Sequence, residues 1–98
     1  MFIAKLHEKD RRILAIIDSN LKGKCFTEGR KQLDLSASFY DGKEMSKEEF
    51  LNLIPACNML NMAGENIINL AKELNLIDEE QVIRIDNIPH AQCLIISD

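Results

Sequence analysis

The chain has 98 residues, of which 46% are hydrophobic and 29% are charged, and its formal net charge is −4. This length fits a single domain over residues 1–98, and four glycines with two prolines are too few for a collagen-like or disordered chain. The apolar runs are far shorter than the roughly 20 residues that a membrane-spanning helix needs. Because the first residues also lack the order of a signal peptide, we expect a cytoplasmic protein without a membrane partner.

Positive charge is concentrated near the N-terminus. Residues 1–31 contain eight basic and four acidic residues, which leaves the rest of the chain with a net charge of −8. Since phosphate attraction depends on local rather than total charge, this region is predicted to contact RNA, and an ordinary solvated surface is the alternative interpretation. The residues predicted to make the contacts are Arg11, Arg12, Lys22 and Lys24.

The three cysteines, Cys25, Cys57 and Cys93, are odd in number and far apart. This spacing favours reduced thiols over a disulfide framework or a zinc site. Metal-ligand clusters, phosphate-binding glycine loops and catalytic signature motifs are also absent from the sequence. We therefore expect no metal and no cofactor, and a binding protein is favoured over an enzyme.

The first strands are predicted from apolar patterns. Alternation over residues 2–8 predicts a strand, and the apolar run 13–17 predicts its hairpin partner. The polar segment 9–12 is short enough to join them as a turn. From residue 18 to residue 43 the pattern weakens, and only residues 32–36 alternate like a short strand.

Two helices are predicted in the middle of the chain. Ser46 and Glu49 form a capping-box pattern that predicts a helix start, and Pro55 predicts its end. Apolar residues three and four apart over 56–74 predict a second, long helix, with Asn75 as its left-handed terminator. Four asparagines lower the stability of this predicted helix, which indicates either compensating contacts or a solvated helix flank.

Two strands are predicted to close the domain, over residues 81–86 and 91–96, with a turn at residues 87–90 between them. Strands at both ends of the chain with helices between them indicate an α+β fold. The specific prediction is a two-layer sandwich, in which a mainly antiparallel sheet carries two helices packed on one face. The alternating strands and helices that a doubly wound parallel fold requires are not seen.

His90 is the main candidate for chemistry, because the predicted turn after Pro89 would hold its imidazole at a fixed position. Glu65 and Asn61 lie one turn apart on the predicted long helix, so they would meet His90 if that helix packs beside the closing hairpin. A simple hydrogen bond from His90 to a neighbouring carbonyl group is the alternative interpretation.

Several short motifs point to one family. They are His7-Glu8-Lys9, Gly23-Lys24, Glu28-Gly29, Phe39-Tyr40-Asp41-Gly42, Asn61-Met62-Ala63-Gly64-Glu65 and Ile88-Pro89-His90-Ala91-Gln92. In these motifs, and over almost its whole length, the sequence resembles an uncharacterised, mainly archaeal family of small proteins, domain of unknown function 424. The resemblance implies a cytoplasmic archaeal protein of α+β fold. Its most specific motifs contain four polar residues that become candidate binding residues: Asn61, Glu65, His90 and Gln92.

The preferred hypothesis is a non-catalytic module that binds RNA or a ribonucleoprotein partner through the basic N-terminal region. The acidic total charge and an aromatic content of only 5% weigh against it. The first alternative is a small enzyme or small-molecule site, in which His90 and Glu65 are the candidate catalytic residues. The second alternative is a protein-interaction subunit that neither binds RNA nor catalyses a reaction. The sequence patterns do not indicate which oligomeric state the protein adopts.

Overall fold

The structure, a computed structural model, describes residues 1–96. Within them the chain forms eight strands and two α-helices. The strands are β1 (Phe2–His7), β2 (Ile13–Asp18), β3 (Cys25–Glu28), β4 (Lys31–Asp34), β5 (Lys43–Met45), β6 (Met59–Ala63), β7 (Ile83–Ile85) and β8 (Ile88–Leu94). The helices are α1 (Lys47–Leu53) and α2 (Glu65–Glu73), and short 3₁₀ turns cover Ser19–Leu21, Ser38–Tyr40, Ile54–Ala56 and Glu79–Gln81. No helix in residues 1–96 is long and apolar enough to span a membrane.

Six strands form one mixed sheet in the order β5-β1-β2-β6-β8-β7, while β3 and β4 form a separate hairpin. Every pair of neighbours in the sheet is antiparallel except β2 and β6, which are parallel. The predicted α+β class, the mainly antiparallel sheet and the two helices are therefore confirmed. The predicted hairpin of β1 and β2 is confirmed as well, with Phe2 opposite Asp18 and His7 opposite Ile13.

Side chains alternate between the two faces of the sheet, so each face has its own apolar cluster. We call one the Ile16 face. Its cluster joins the sheet to both helices and contains Leu14, Ile16, Leu60, Met62, Phe50, Ile67 and Ile68. We call the other the Asn61 face, on which Lys5, Ala15, Asn61 and Gln92 lie opposite one another across four strands. Its cluster joins the sheet to the β3–β4 segment and contains Ile3, Ile17, Ala63, Leu33 and Leu35.

Helix α1 begins as the capping box predicts. The hydroxyl oxygen of Ser46 accepts the backbone N–H of Glu49, and the Glu49 carboxylate accepts the backbone N–H of Ser46, both at 3.1 Å. The helix ends at Leu53, and Pro55 lies in the 3₁₀ turn that follows. Local sequence alone therefore determines where this helix starts and stops.

The prediction of one helix over residues 56–74 is wrong in its first half. Met59–Ala63 is strand β6, which lies between β2 and β8, and α2 begins only at Glu65. A central strand is buried on both faces, so its apolar residues do not alternate cleanly and also fit a helical spacing. Gly64 separates the two elements with a φ of 121°, which side chains other than glycine rarely adopt. Asn61 therefore lies on a strand, and the expected helical spacing between Asn61 and Glu65 is wrong.

The closing hairpin also differs from the prediction. Its turn is formed by Asp86 and Asn87, with φ values of 51° and 67°, whereas the predicted turn covered residues 87–90. Two consecutive positive φ values are typical of a type I′ turn, and short polar side chains tolerate them. Pro89 is fully buried in β8, and His90 follows it on the same strand. The placement of His90 in a turn is therefore wrong.

Strands β3 and β5 do not follow from the sequence patterns. Both are short and mostly exposed, so they show little apolar alternation. The strand predicted over residues 32–36 corresponds to β4, which pairs with β3 through a turn at Gly29. The predicted left-handed residue after the second helix is confirmed, because Asn75 has a φ of 59°.

Asp18 connects the end of β2 to the start of α2. This buried residue is 4% exposed, and its two carboxylate oxygens accept the backbone N–H groups of Asn66 and Ile67, each at 2.9 Å. Such N–H groups have no partner inside a helix, and the helix dipole favours negative charge beside them. A Cβ atom on Gly64 would lie 2.4 Å from Cγ of Asp18, so glycine leaves the room that this contact needs.

We expect Asp18→Ala to lower the free energy of unfolding by about 1–3 kcal/mol, because two amide groups lose their acceptor. Gly64→Ala should also destabilise the fold, since its methyl group meets the Asp18 carboxylate. Urea denaturation measures both effects, with Ser19→Ala at an exposed neighbouring position as the control. A loss below about 0.5 kcal/mol for Asp18→Ala would mean that α2 does not depend on this cap.

Candidate functional site

Asn61 lies at the centre of a polar group on the Asn61 face. It is 8% exposed and, with Asp18, is one of two buried polar residues in the part of the chain that the structure describes. Its side-chain oxygen Oδ1 accepts the hydroxyl hydrogen of Tyr40 at 3.0 Å, and Nε2 of His90 lies 3.0 Å from the same oxygen. The second contact is a hydrogen bond when Nε2 carries the proton, so Asn61 selects this tautomer of His90.

Burial sets the protonation of both partners of Asn61. It raises the pKa of Tyr40 above the ordinary value of 10.0, and it lowers the pKa of His90 below the ordinary value of 6.5. At neutral pH Tyr40 therefore keeps its hydroxyl hydrogen, and His90 is uncharged. With its proton on Nε2, neutral His90 has an acceptor lone pair on Nδ1.

A row of rings extends from Asn61 towards β1. The imidazole of His7 stacks on Phe39 with 4.4 Å between ring centroids and 10° between ring planes, and Tyr40 meets Phe39 edge-on at 5.1 Å. Nε2 of His7 also lies 2.9 Å from the backbone oxygen of Phe39, and Nζ of Lys5 donates to the backbone oxygen of Ser38 at 2.9 Å. These contacts hold the 3₁₀ turn against β1, so the three rings and the Asn61 amide share one region of the sheet.

Of the other candidate residues in the C-terminal half, Glu65 lies apart from this group and Gln92 lies beside it. Glu65 begins α2 and forms an ion pair with Arg84 at 2.9 Å, and no hydrogen bond joins Glu65 to His90 in residues 1–96. Gln92 is exposed on β8, directly opposite Asn61, and lines a groove of about 430 Å³ together with Met59, Leu94 and other residues. The structure therefore brings Asn61, His90 and Gln92 to one face, and it engages Glu65 elsewhere.

The four basic candidates lie at the two ends of β2. Arg11 and Arg12 belong to the turn before this strand, and Lys22 and Lys24 follow the 3₁₀ turn after it. Six residues of strand span about 20 Å, so the two pairs do not form one compact patch. Arg12 lies 3.8 Å from the carboxylate of Glu8. Arg11 instead lines a recess of about 290 Å³, whose other residues are His7, Lys9, Asp10 and Ile13.

Phe39 and Tyr40 are the site residues that pattern reasoning missed. Neither lies in a segment with a clear helical or strand period, because they occupy a short 3₁₀ turn in the weakly patterned third of the chain. The signal that pointed to them was their place in the motif Phe39-Tyr40-Asp41-Gly42, on which the family resemblance partly rests.

A metal site and a disulfide each require particular side chains at suitable positions among the described residues. No group of three or more His, Cys, Asp and Glu side chains in residues 1–96 could hold a metal ion. All three cysteines are free, and only Cys25 is exposed. Burial raises the pKa of Cys57 and Cys93, which keeps both thiols protonated at neutral pH.

A sequence profile of the family described as "Protein of unknown function (DUF424)" matches residues 7–96. The chain belongs to this family. The resemblance noted in the sequence motifs is thereby confirmed. A solved structure, described as "Crystal structure of an uncharacterized conserved protein from Methanopyrus kandleri", has a TM-score of 0.78 and 22% identity to this DUF424 protein. The likeness covers 99% of this chain and 95% of the archaeal one, and at this identity it shows a shared fold. No curated protein matches the chain.

Because burial lowers the pKa of His90, we expect the fold to lose stability as the pH falls below 6.5. The unfolded chain takes up a proton near that value, whereas the folded chain takes it up only at lower pH, so acid favours unfolding. This loss is absent above pH 6.5 and complete once the pH has passed the lowered pKa of the folded state.

Urea denaturation above and below pH 6.5 measures this dependence in the natural protein and in His90→Gln, which keeps a hydrogen-bonding side chain without a titrating group. The fall in stability should be smaller in the variant. An identical fall in both proteins would mean that His90 titrates alike in the folded and unfolded chains.

Proposed function

We propose that the protein is a non-catalytic module that binds single-stranded RNA on the Asn61 face, alone or within a ribonucleoprotein. The observation that carries this proposal is the grouping of half-buried rings, side-chain amides and a basic recess in one region of the sheet. Proteins recognise unpaired RNA by stacking its bases on aromatic rings, by bonding to the base edges, and by contacting phosphates with basic residues. The rings here belong to His7, Phe39 and Tyr40.

We propose that the domain is a two-layer sandwich, a packing that leaves the Asn61 face available. It is supported by the larger apolar cluster, because both helices contribute to it from the Ile16 face, through Phe50 of α1 and Ile67 of α2. The β3–β4 segment contacts only part of the Asn61 face. At the other end of this face Ile13 and Met59 are half-buried and Leu94 is 63% exposed.

The basic residues fit an RNA strand that runs along β2. Arg11 and Lys9 line the recess beside His7, where they would contact the first phosphates. Lys22 and Lys24, at the far end of β2, would contact phosphates further along the same strand. This arrangement uses positive charge at separate points and does not require one basic patch, which agrees with the acidic total charge.

An enzyme built on His90 and Glu65 has less support. The partner of His90 is the Asn61 amide, whereas a general base of this type is usually oriented by a carboxylate. The Glu65 carboxylate is occupied by Arg84. The protein-interaction alternative and the cytoplasmic location stay predictions.

Fluorescence anisotropy with a labelled, unstructured RNA oligonucleotide tests this function. We expect the affinity to fall with salt, with a slope of log K against log salt of about −0.7 for each phosphate contacted. Arg11→Gln and Lys22→Gln should each weaken binding and reduce that slope by about 0.7. Lys47→Gln removes the same charge from α1 and is the matched control, for which we expect natural affinity. Absent binding, or an affinity that salt does not change, would contradict the proposal.

A further inference from the structure

The two ends of the Asn61 amide are used differently. Its oxygen Oδ1 contacts both Tyr40 and His90, whereas its nitrogen Nδ2 has no hydrogen-bond partner among residues 1–96. In that part of the chain no fully enclosed side-chain nitrogen or oxygen lacks a partner. Nδ2 therefore reaches the surface, although Asn61 as a whole is 8% exposed.

The neighbours of Asn61 on the same face differ in exposure. Ala15 on β2 and Ala63 on β6 are buried, whereas Gln92, opposite Asn61 on β8, is exposed. The exposed neighbour of the amide therefore lies towards β8. The internal contacts of Oδ1 also fix the orientation of the amide, which leaves Nδ2 as a donor held in place before any ligand arrives.

We propose that Nδ2 of Asn61 donates a hydrogen bond to an acceptor atom of an unstacked nucleobase. The affinity of the site then depends on the presence of bases in the strand. The inference rests on the proposed RNA-binding function and adds the group that would be recognised. Gln92 is exposed directly opposite Asn61 and supplies a second amide beside the same base. Every nucleobase has a ring nitrogen or carbonyl oxygen that accepts such a bond, so recognition is of bases in general.

The variant Asn61→Asp isolates this donor. A carboxylate oxygen still accepts from Tyr40 and His90, so the internal contacts persist, while the N–H donor is replaced by a charged oxygen. Binding is measured by anisotropy with two labelled strands of equal length and charge, one an ordinary RNA and the other an abasic ribose-phosphate strand. Repulsion between the new carboxylate and the phosphates acts on both strands, so this part of the effect cancels in the ratio of their affinities.

We expect the natural protein to prefer the ordinary strand, and Asn61→Asp to reduce that preference about tenfold, which is the effect of one lost hydrogen bond. Asn52→Asp makes the same chemical change on the exposed surface of α1 and should leave the preference unchanged.

A second measurement needs no variant. In a ¹⁵N-labelled natural protein the side-chain NH₂ resonances of Asn61 should shift when the ordinary strand is added, and should stay in place with the abasic strand. An unchanged preference in Asn61→Asp, or NH₂ resonances that do not shift while RNA binds, would overturn the role of Asn61 and leave the proposed function standing. Failure of the natural protein to bind either strand would overturn the proposed function itself.

Discussion

The arrangement of the sheet depends on the contact between the carboxylate of Asp18 and the backbone N–H groups at the start of α2. It joins the end of β2 to the residues that follow β6, and these are the two parallel strands at the centre of the sheet. Gly64 permits the contact, because a side chain there would collide with Asp18. With both strand ends held in this way, Ala63 lies opposite Ile17, and Asn61 two residues earlier lies opposite Ala15. The position of the polar group on the Asn61 face follows from this register.

Strand β6 serves the core on one face and the candidate site on the other. Leu60 and Met62 are fully buried against the helices, while Asn61 between them points to the opposite face and contacts Tyr40 and His90. A polar residue in a central strand is stable only when its hydrogen bonds are made, and here the oxygen makes two. The nitrogen has no hydrogen-bond partner within residues 1–96. The same alternation that builds the core therefore sets the chemistry of the site.

Local signals in the sequence were accurate where neighbouring residues decide the structure. The capping box at Ser46 and the left-handed Asn75 both appear as expected, because each depends on contacts within a few residues. The first half of the helix expected over 56–74 was wrong, because burial on both faces removes the alternation that distinguishes a strand. The turn expected around Pro89 was wrong because the proline ring is buried in β8, and the turn formed where two residues accept positive φ.

The sequence by itself determined the α+β class, the first hairpin and the start of α1, and it predicted His90 and Asn61 as candidate site residues. Only the tertiary structure decided that both lie on strands, that Tyr40 joins them, and that Glu65 pairs with Arg84. The physical reason is distance along the chain, since Asn61 contacts residues 21 and 29 positions away. Propensities and caps act over a few residues, whereas the partners of a buried amide depend on which strands become neighbours, and that depends on the packing of the whole chain.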